Sequence, residues 1–112
     1  MRQLQRNKRA EAYVTISASG TGTAIVSVPL GPSWEVKQIS VSCDGTLIPA
    51  CSTYVGTNSA GVFISSTLIG NSDTDSAPNV TARSGESLCA IWSNATVGAR
   101  AKMTVIYDEV GY

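Results

Sequence analysis

The side chains able to do chemistry are few, and the commonest general base is missing. The chain has no histidine, which also removes the usual partner of a serine or cysteine nucleophile. No G-x-S-x-G elbow, S-x-x-K pair or phosphate-cradling G-x-x-x-x-G-K-[ST] run occurs. Cys43, Cys51 and Cys89 include no C-x-x-C pair, and a four-ligand zinc site would need a carboxylate as well. Their odd number, and the lack of an apolar stretch after the basic N-terminus, predict reduced thiols buried as small hydrophobes. A Cys43–Cys51 bond across the CDGTLIPAC segment is the open alternative. Asp73 and Asp75 in NSDTDS superficially suggest a calcium loop. Counted from Asp73, however, the positions that need glycine and glutamate hold Pro78 and Ser84. Asp108 and Glu109 are adjacent, so on a strand they face opposite sides and share no acid–base task. The expectation is a non-enzyme with no catalytic residue, no metal and no cofactor.

Binding is the remaining kind of chemistry. Arg2, Arg6, Lys8 and Arg9 are half of the 8 cations, and the first acid is Glu11. A basic arm, residues 1–10, therefore precedes a mildly acidic body. It reads as a solvated tail or as a segment docked on a neighbouring subunit, with Leu4 as its apolar anchor and Arg2, Arg6, Lys8 and Arg9 as its charges. If it docks, residues 2–9 should be removable without unfolding the rest. Four charges without interleaved aromatics argue against nucleic acid as partner. No apolar run approaches the ~20 residues of a membrane span. A glycan-binding module would need a row of exposed aromatics, yet Trp34 and Trp92 each alternate with small apolar residues, which suits core packing. Tyr112 is expected to be exposed or docked on a neighbour.

These residues need a scaffold, and the pattern supplies strands. The 112 residues suit one domain, and 14% charged residues against 43% hydrophobic argue against a coiled coil or a disordered tail. Alternating apolar positions place strands near 11–18, 23–29, 33–43, 50–56, 61–69, 79–83, 87–93 and 98–107. Turn signals such as SGTG and DGT separate them, and the polar stretch GNSDTDSAP, 70–78, reads as a loop. In the third strand Trp34 and Val36 share one parity, while Ile39, Val41 and Cys43 take the other. One extra residue near Lys37–Gln38 returns both groups to the core, which predicts a β-bulge. RQLQRNKRAEA could form a short helix only with a partner to bury Leu4. The expected fold is all-β: an eight-stranded antiparallel β-sandwich, jelly-roll-like, spanning 11–112 behind an extended arm at 1–10. Its core should hold Trp34, Val36, Ile39, Val41, Leu88, Trp92, Met103 and Val105.

Several of these elements also carry a resemblance. WEVKQISVSC at 34–43, Pro49 with CSTYVG at 51–56, GNSDTD at 70–75 and SGESLCAIWSNATVGARAKMTV at 84–105 resemble small β-sandwich proteins encoded among the structural genes of tailed bacteriophages and prophages, especially those of actinobacteria. The resemblance covers roughly residues 12–107. It implies a virion component without catalysis, either a capsid decoration or cement protein or a minor tail protein. It implies synthesis in the host cytoplasm, other capsid or tail subunits as partners, and a homo-oligomer. The alternative is a carbohydrate- or receptor-binding module on a phage tail or fibre.

Overall fold

A computed structural model gives the fold and describes residues 3–56, 62–69, 72–75 and 80–111, with the side chains of 3–5, 62–69, 72 and 75 outside that description. Every regular element among the described residues is a strand: β1 (Gln3–Thr15), β2 (Gly22–Ser27), β3 (Ser33–Cys43), β4 (Ala50–Gly56), β5 (Val62–Ile69), β6 (Ser72–Asp75), β7 (Val80–Ala82), β8 (Ser87–Ser93) and β9 (Arg100–Gly111). They form two antiparallel sheets. A long sheet runs β1-β9-β3-β6, with β7 also on β3; a short sheet runs β2-β8-β4-β5. Because β6 and β7 take successive stretches of one edge of β3, nine segments fill eight strand positions. The chain crosses between sheets so that β1 and β9, or β2 and β8, lie side by side. This is jelly-roll connectivity.

Burial follows the alternation. Trp34 and Val36, then Ile39, Val41 and Cys43, all point inward, and the register of β3 on β9 shifts between Val36 and Gln38. Lys37 is thus the extra residue, and the predicted bulge is present. The eight expected core residues are all buried. Trp34 stacks on Tyr107 with ring centroids 3.7 Å apart and planes 13° apart. Cys89 has outward parity yet is fully buried, since Ile25 of β2 and Tyr54 of β4 occupy its rung on either side.

Three boundaries differ from the sequence-based expectation. The 70–78 stretch contains a strand, β6, which pairs with β3 from Ile39↔Asp75 to Ser42↔Ser72. Its polar residues hide it from hydrophobic periodicity, but an edge strand needs only ladder bonds and one solvated face. The last strand reaches Gly111 rather than ending at residue 107. The first strand begins at Gln3, so residues 3–10 are neither a helix nor a separate segment. They lie along β9, with Gln3↔Gly111 and Arg9↔Ile106 in register. Thirteen extended residues span roughly 43 Å at ~3.3 Å each, close to the 49 Å length of the molecule.

Among the described residues no helix is long and apolar enough to cross a membrane. All three cysteines are buried free thiols, so the Cys43–Cys51 bond is not formed. Burial pushes the Cys51 thiol up to about 12, the backbone hydrogen bond to Ile91 offsetting part of that rise. Burial raises Cys43 and Cys89 as well.

Candidate functional site

The candidate residues of the basic segment fall on β1, and the strand sends them to different places. Arg2 lies outside the described residues, as do Tyr112 and the side chain of Leu4, whose backbone pairs with Val110. Arg6 is exposed. Asn7 takes φ 55°, a left-handed conformation that asparagine tolerates, and the register shifts around it between Gln5 and Lys8. Lys8 turns to the inner side, where its Nζ donates to Glu109 Oε2 at 3.3 Å. Arg9 turns to the exterior, where it donates to Glu11 Oε2 at 3.1 Å. Lys8 and Arg9 thus go to opposite faces.

Bulges flank β9 on both sides, Asn7 in β1 and Lys37 in β3, and they serve the acids of its end. Asp108 Oδ1 accepts the Asn7 backbone N–H at 3.0 Å and lies 3.8 Å from Lys37 Nζ. Lys37 Nζ also donates to Asn7 Oδ1 at 3.2 Å. On the opposite face Glu109 Oε1 accepts Trp34 Nε1–H at 3.3 Å. The adjacent acids therefore face opposite sides, as strand geometry requires, and each is held as a structural anchor. These contacts fasten residues 7–8 to the domain's own last strand. The phase change at Lys37–Gln38 signals one half of this arrangement in the sequence. No comparable signal marks Asn7, because no apolar alternation surrounds it.

The exterior face of the long sheet carries a groove of about 350 Å³ between β1, β9, β3 and β6. Arg9, Gln38, Ser40, Thr74, Lys102 and Thr104 line it. Glu11 anchors its rim, accepting from Arg9 and from Thr104 Oγ1 at 3.2 Å, with Lys102 Nζ at 3.5 Å. Desolvation works to raise the Glu11 pKa, but the Arg9 and Thr104 hydrogen bonds and the charges of Arg9 and Lys102 outweigh it, leaving the carboxyl below its ordinary value. A second depression of about 320 Å³ continues the groove past Ser42 and Lys102 to Tyr13 and Arg100. Tyr13 is 57% exposed, with Arg100 Cζ 5.5 Å and Lys102 Nζ 5.9 Å from its ring centre. Asp73 sits beside the groove on β6, where its carboxylate accepts the Thr74 N–H at 2.8 Å; the side chain of Asp75 is outside the described residues. Among the described residues no three metal-ligating side chains of the His, Cys, Asp or Glu type cluster.

The end of the sandwich near Arg100 is built differently. The hydroxyl of Thr96 accepts the N–H groups of Thr46 and Leu47 at 3.1 and 3.0 Å. Gly45, at φ +104°, packs so closely on Thr96 that an added Cβ would lie 2.7 Å from its side chain. This fixes the β3–β4 loop on the β8–β9 loop and leaves Leu47, Ile48 and Val97 exposed on the pair.

With this geometry in hand, comparison with known proteins bears on the fold. Neither a family model nor a curated protein matches the sequence. Among solved structures, a chain of the acidic stable capsid structure of Helicobacter pylori bacteriophage KHP30 is similar over 100% of both chains, at 23% identity and a TM-score of 0.55. The NLP core of Drosophila, whose structure concerns pentamer formation and histone binding, aligns over 89% of this chain and 96% of its own, at 14% identity and a TM-score of 0.43. PliG of Aeromonas hydrophila, a periplasmic inhibitor of g-type lysozyme, aligns over 92% and 87%, at 9% identity and a TM-score of 0.42. The end-to-end likeness to the KHP30 chain shows a shared β-sandwich.

Proposed function

We propose that this chain is a non-enzymatic structural component of a phage virion, a capsid decoration or cement protein or else a minor tail protein. The observation that carries the reading is the full-length likeness to a chain of the KHP30 capsid structure. A small sandwich used in many copies needs no cofactor, and the exposed side of β1, with Arg6 and Arg9, offers a place for attachment to capsid or tail subunits. Such a protein is made in the host cytoplasm and resides in the virion, binding neither nucleic acid nor membrane. The test is negative-stain microscopy of purified particles with an antibody against the chain. Label on the head selects decoration, label on the tail selects the tail component, and unlabelled particles overturn the proposal.

A second reading, a carbohydrate- or receptor-binding module on a tail or fibre, draws on one observation. Tyr13 stands exposed at the end of the hydroxyl-lined groove on the long sheet, where a sugar ring could stack and hydrogen-bond. Glycan-array binding that Tyr13→Ala abolishes would favour it; an array without signal would dismiss it.

A further inference from the structure

The two edges of the long sheet are not equivalent. One is broken into β6 and β7, of 4 and 3 residues. The other is β1, of 13 residues, which among the described strands is hydrogen-bonded to β9 alone. On β9, Ala101, Met103 and Val105 have 0% exposure. Their register partners Val14, Ala12 and Ala10 pack on the same core but stay only partly buried. Among the described residues the sandwich is therefore open along β1, with small apolar side chains at the opening and a row of backbone groups without a ladder partner beside them.

From this edge we infer that β1 pairs antiparallel with β1 of a second copy about a two-fold axis through Ala10. The charge pattern selects the register. About Ala10, Arg9 of each copy faces Glu11 of the other on the exterior side, Lys8 faces Ala12, and no like charges meet. Sliding by two residues one way sets Glu11 against Glu11; the other way sets Arg9 against Arg9. Like charges directly opposite are unfavourable. Sliding by one residue would pair positions on opposite faces. The neighbouring edge strand β2, GTAIVS, carries no charge and adds no repulsion. The bulge at Asn7 ends the regular ladder beyond Lys8, so the contact is short and reversible. Of the alignments that keep the faces of both strands matched, only this one sets opposite charges, Arg9 and Glu11, against each other; an axis through Ala12 avoids like charges but gains no such pair. A C2 contact of this kind is self-complementary.

The inference extends the structural reading above, but its test measures mass in solution. A chain absent from virions could pass it, and a virion protein could fail it. Sedimentation equilibrium of the full chain should show mass rising with concentration from 11.7 kDa toward twice that value. Ala10→Cys should form a reducible covalent dimer under mild oxidation. Residues directly opposite on antiparallel strands have Cα atoms ~4.5–5.5 Å apart, within disulfide reach. Ala12→Cys, facing Lys8, should cross-link far less. Arg9→Glu and Glu11→Arg should each weaken association up to about tenfold, a loss of ~1.4 kcal/mol, and the double exchange should restore it. Thermal unfolding of each variant shows whether it is folded, and both charged side chains lie at the exposed edge. A chain that stays monomeric at every concentration, equal cross-linking at positions 10 and 12, or charge exchanges without effect would each overturn the proposal.

Discussion

β9 and β1 are neighbours of nearly equal length with the same inward alternation, yet they live in different environments. β9 has a strand on each side, and its inward residues Ala101, Met103 and Val105 are sealed. Among the described strands β1 has one neighbour, and its inward residues Ala10, Ala12 and Val14 are half-covered. Periodicity tells which face of a strand is inward; the number of neighbours decides how much that face is worth. The polar residues differ in the same way. Asp108 and Glu109, in the middle of the sheet, are each held by residues of both flanking strands, while Glu11 on β1 is held from β1 and β9 alone.

If this contrast is right, substitutions at sealed positions should dominate stability. Trp92, on the central strand β8 and fully buried, should cost about 3–5 kcal/mol on truncation to alanine, measured by denaturant unfolding. A loss below 1 kcal/mol, itself only on the order of a surface change, would mean the core is not closed around it.

Removing residues 2–9 tests the boundary between the regions. It strips the Asn7 and Lys8 partners from Asp108 and Glu109, so ~1–3 kcal/mol should be lost. An unchanged midpoint would return the segment to the status of an independent arm.

Alkaline titration sharpens the contrast within the core. Cys51 is held protonated in the folded chain up to about 12 from an ordinary value of 9.0. Between those values the unfolded chain has released the proton and the folded chain has not. Stability should therefore fall with rising pH across that window, at most by ~1.4 kcal/mol per pH unit for this one group. Burial raises Cys43, Cys89 and Tyr107 as well, so they act in the same direction. Cys51→Ala should flatten the slope measured by urea unfolding at successive pH values, and an unaltered slope would remove Cys51 as a cause.

The smallest effect concerns Thr53 on β4, whose Oγ1 is buried without a hydrogen-bond partner among the described residues. Thr53→Val keeps the shape and removes the unsatisfied group, so the unfolding free energy should hold or rise by up to ~1 kcal/mol. A clear loss would reveal a partner for the hydroxyl.

Much of the fold was legible because half-buried strands advertise themselves. Ile39 and Val41 against Trp34 and Val36 announced the bulge, and the spacing of Leu88, Ala90 and Trp92 marked β8 to the residue. β6 was not legible, since Ser-Asp-Thr-Asp carries no apolar signal and only β3 makes it a strand. The first half of β1 was not legible for the same reason. Of the candidate binding residues, Arg9 was placed on the exterior face beside Glu11, whereas Lys8 proved to be a tie to Glu109. That difference follows from strand alternation, Lys8 sharing the inward parity of Ala10 and Ala12, but no pattern in the sequence marked residues 8–9 as strand.

By itself, then, the sequence determined the all-β class, most strands, the core residues and the absence of histidine chemistry. These follow from side-chain type and two-residue periodicity, which are local. Only the tertiary structure decided that residues 3–10 join the sheet, that a polar loop becomes β6, that the thiols stay unpaired and that β1 is left with an open edge. Each of those depends on which distant strand supplies the other half of a hydrogen-bond ladder or covers a face, and such pairings across a hundred residues of chain leave no local trace.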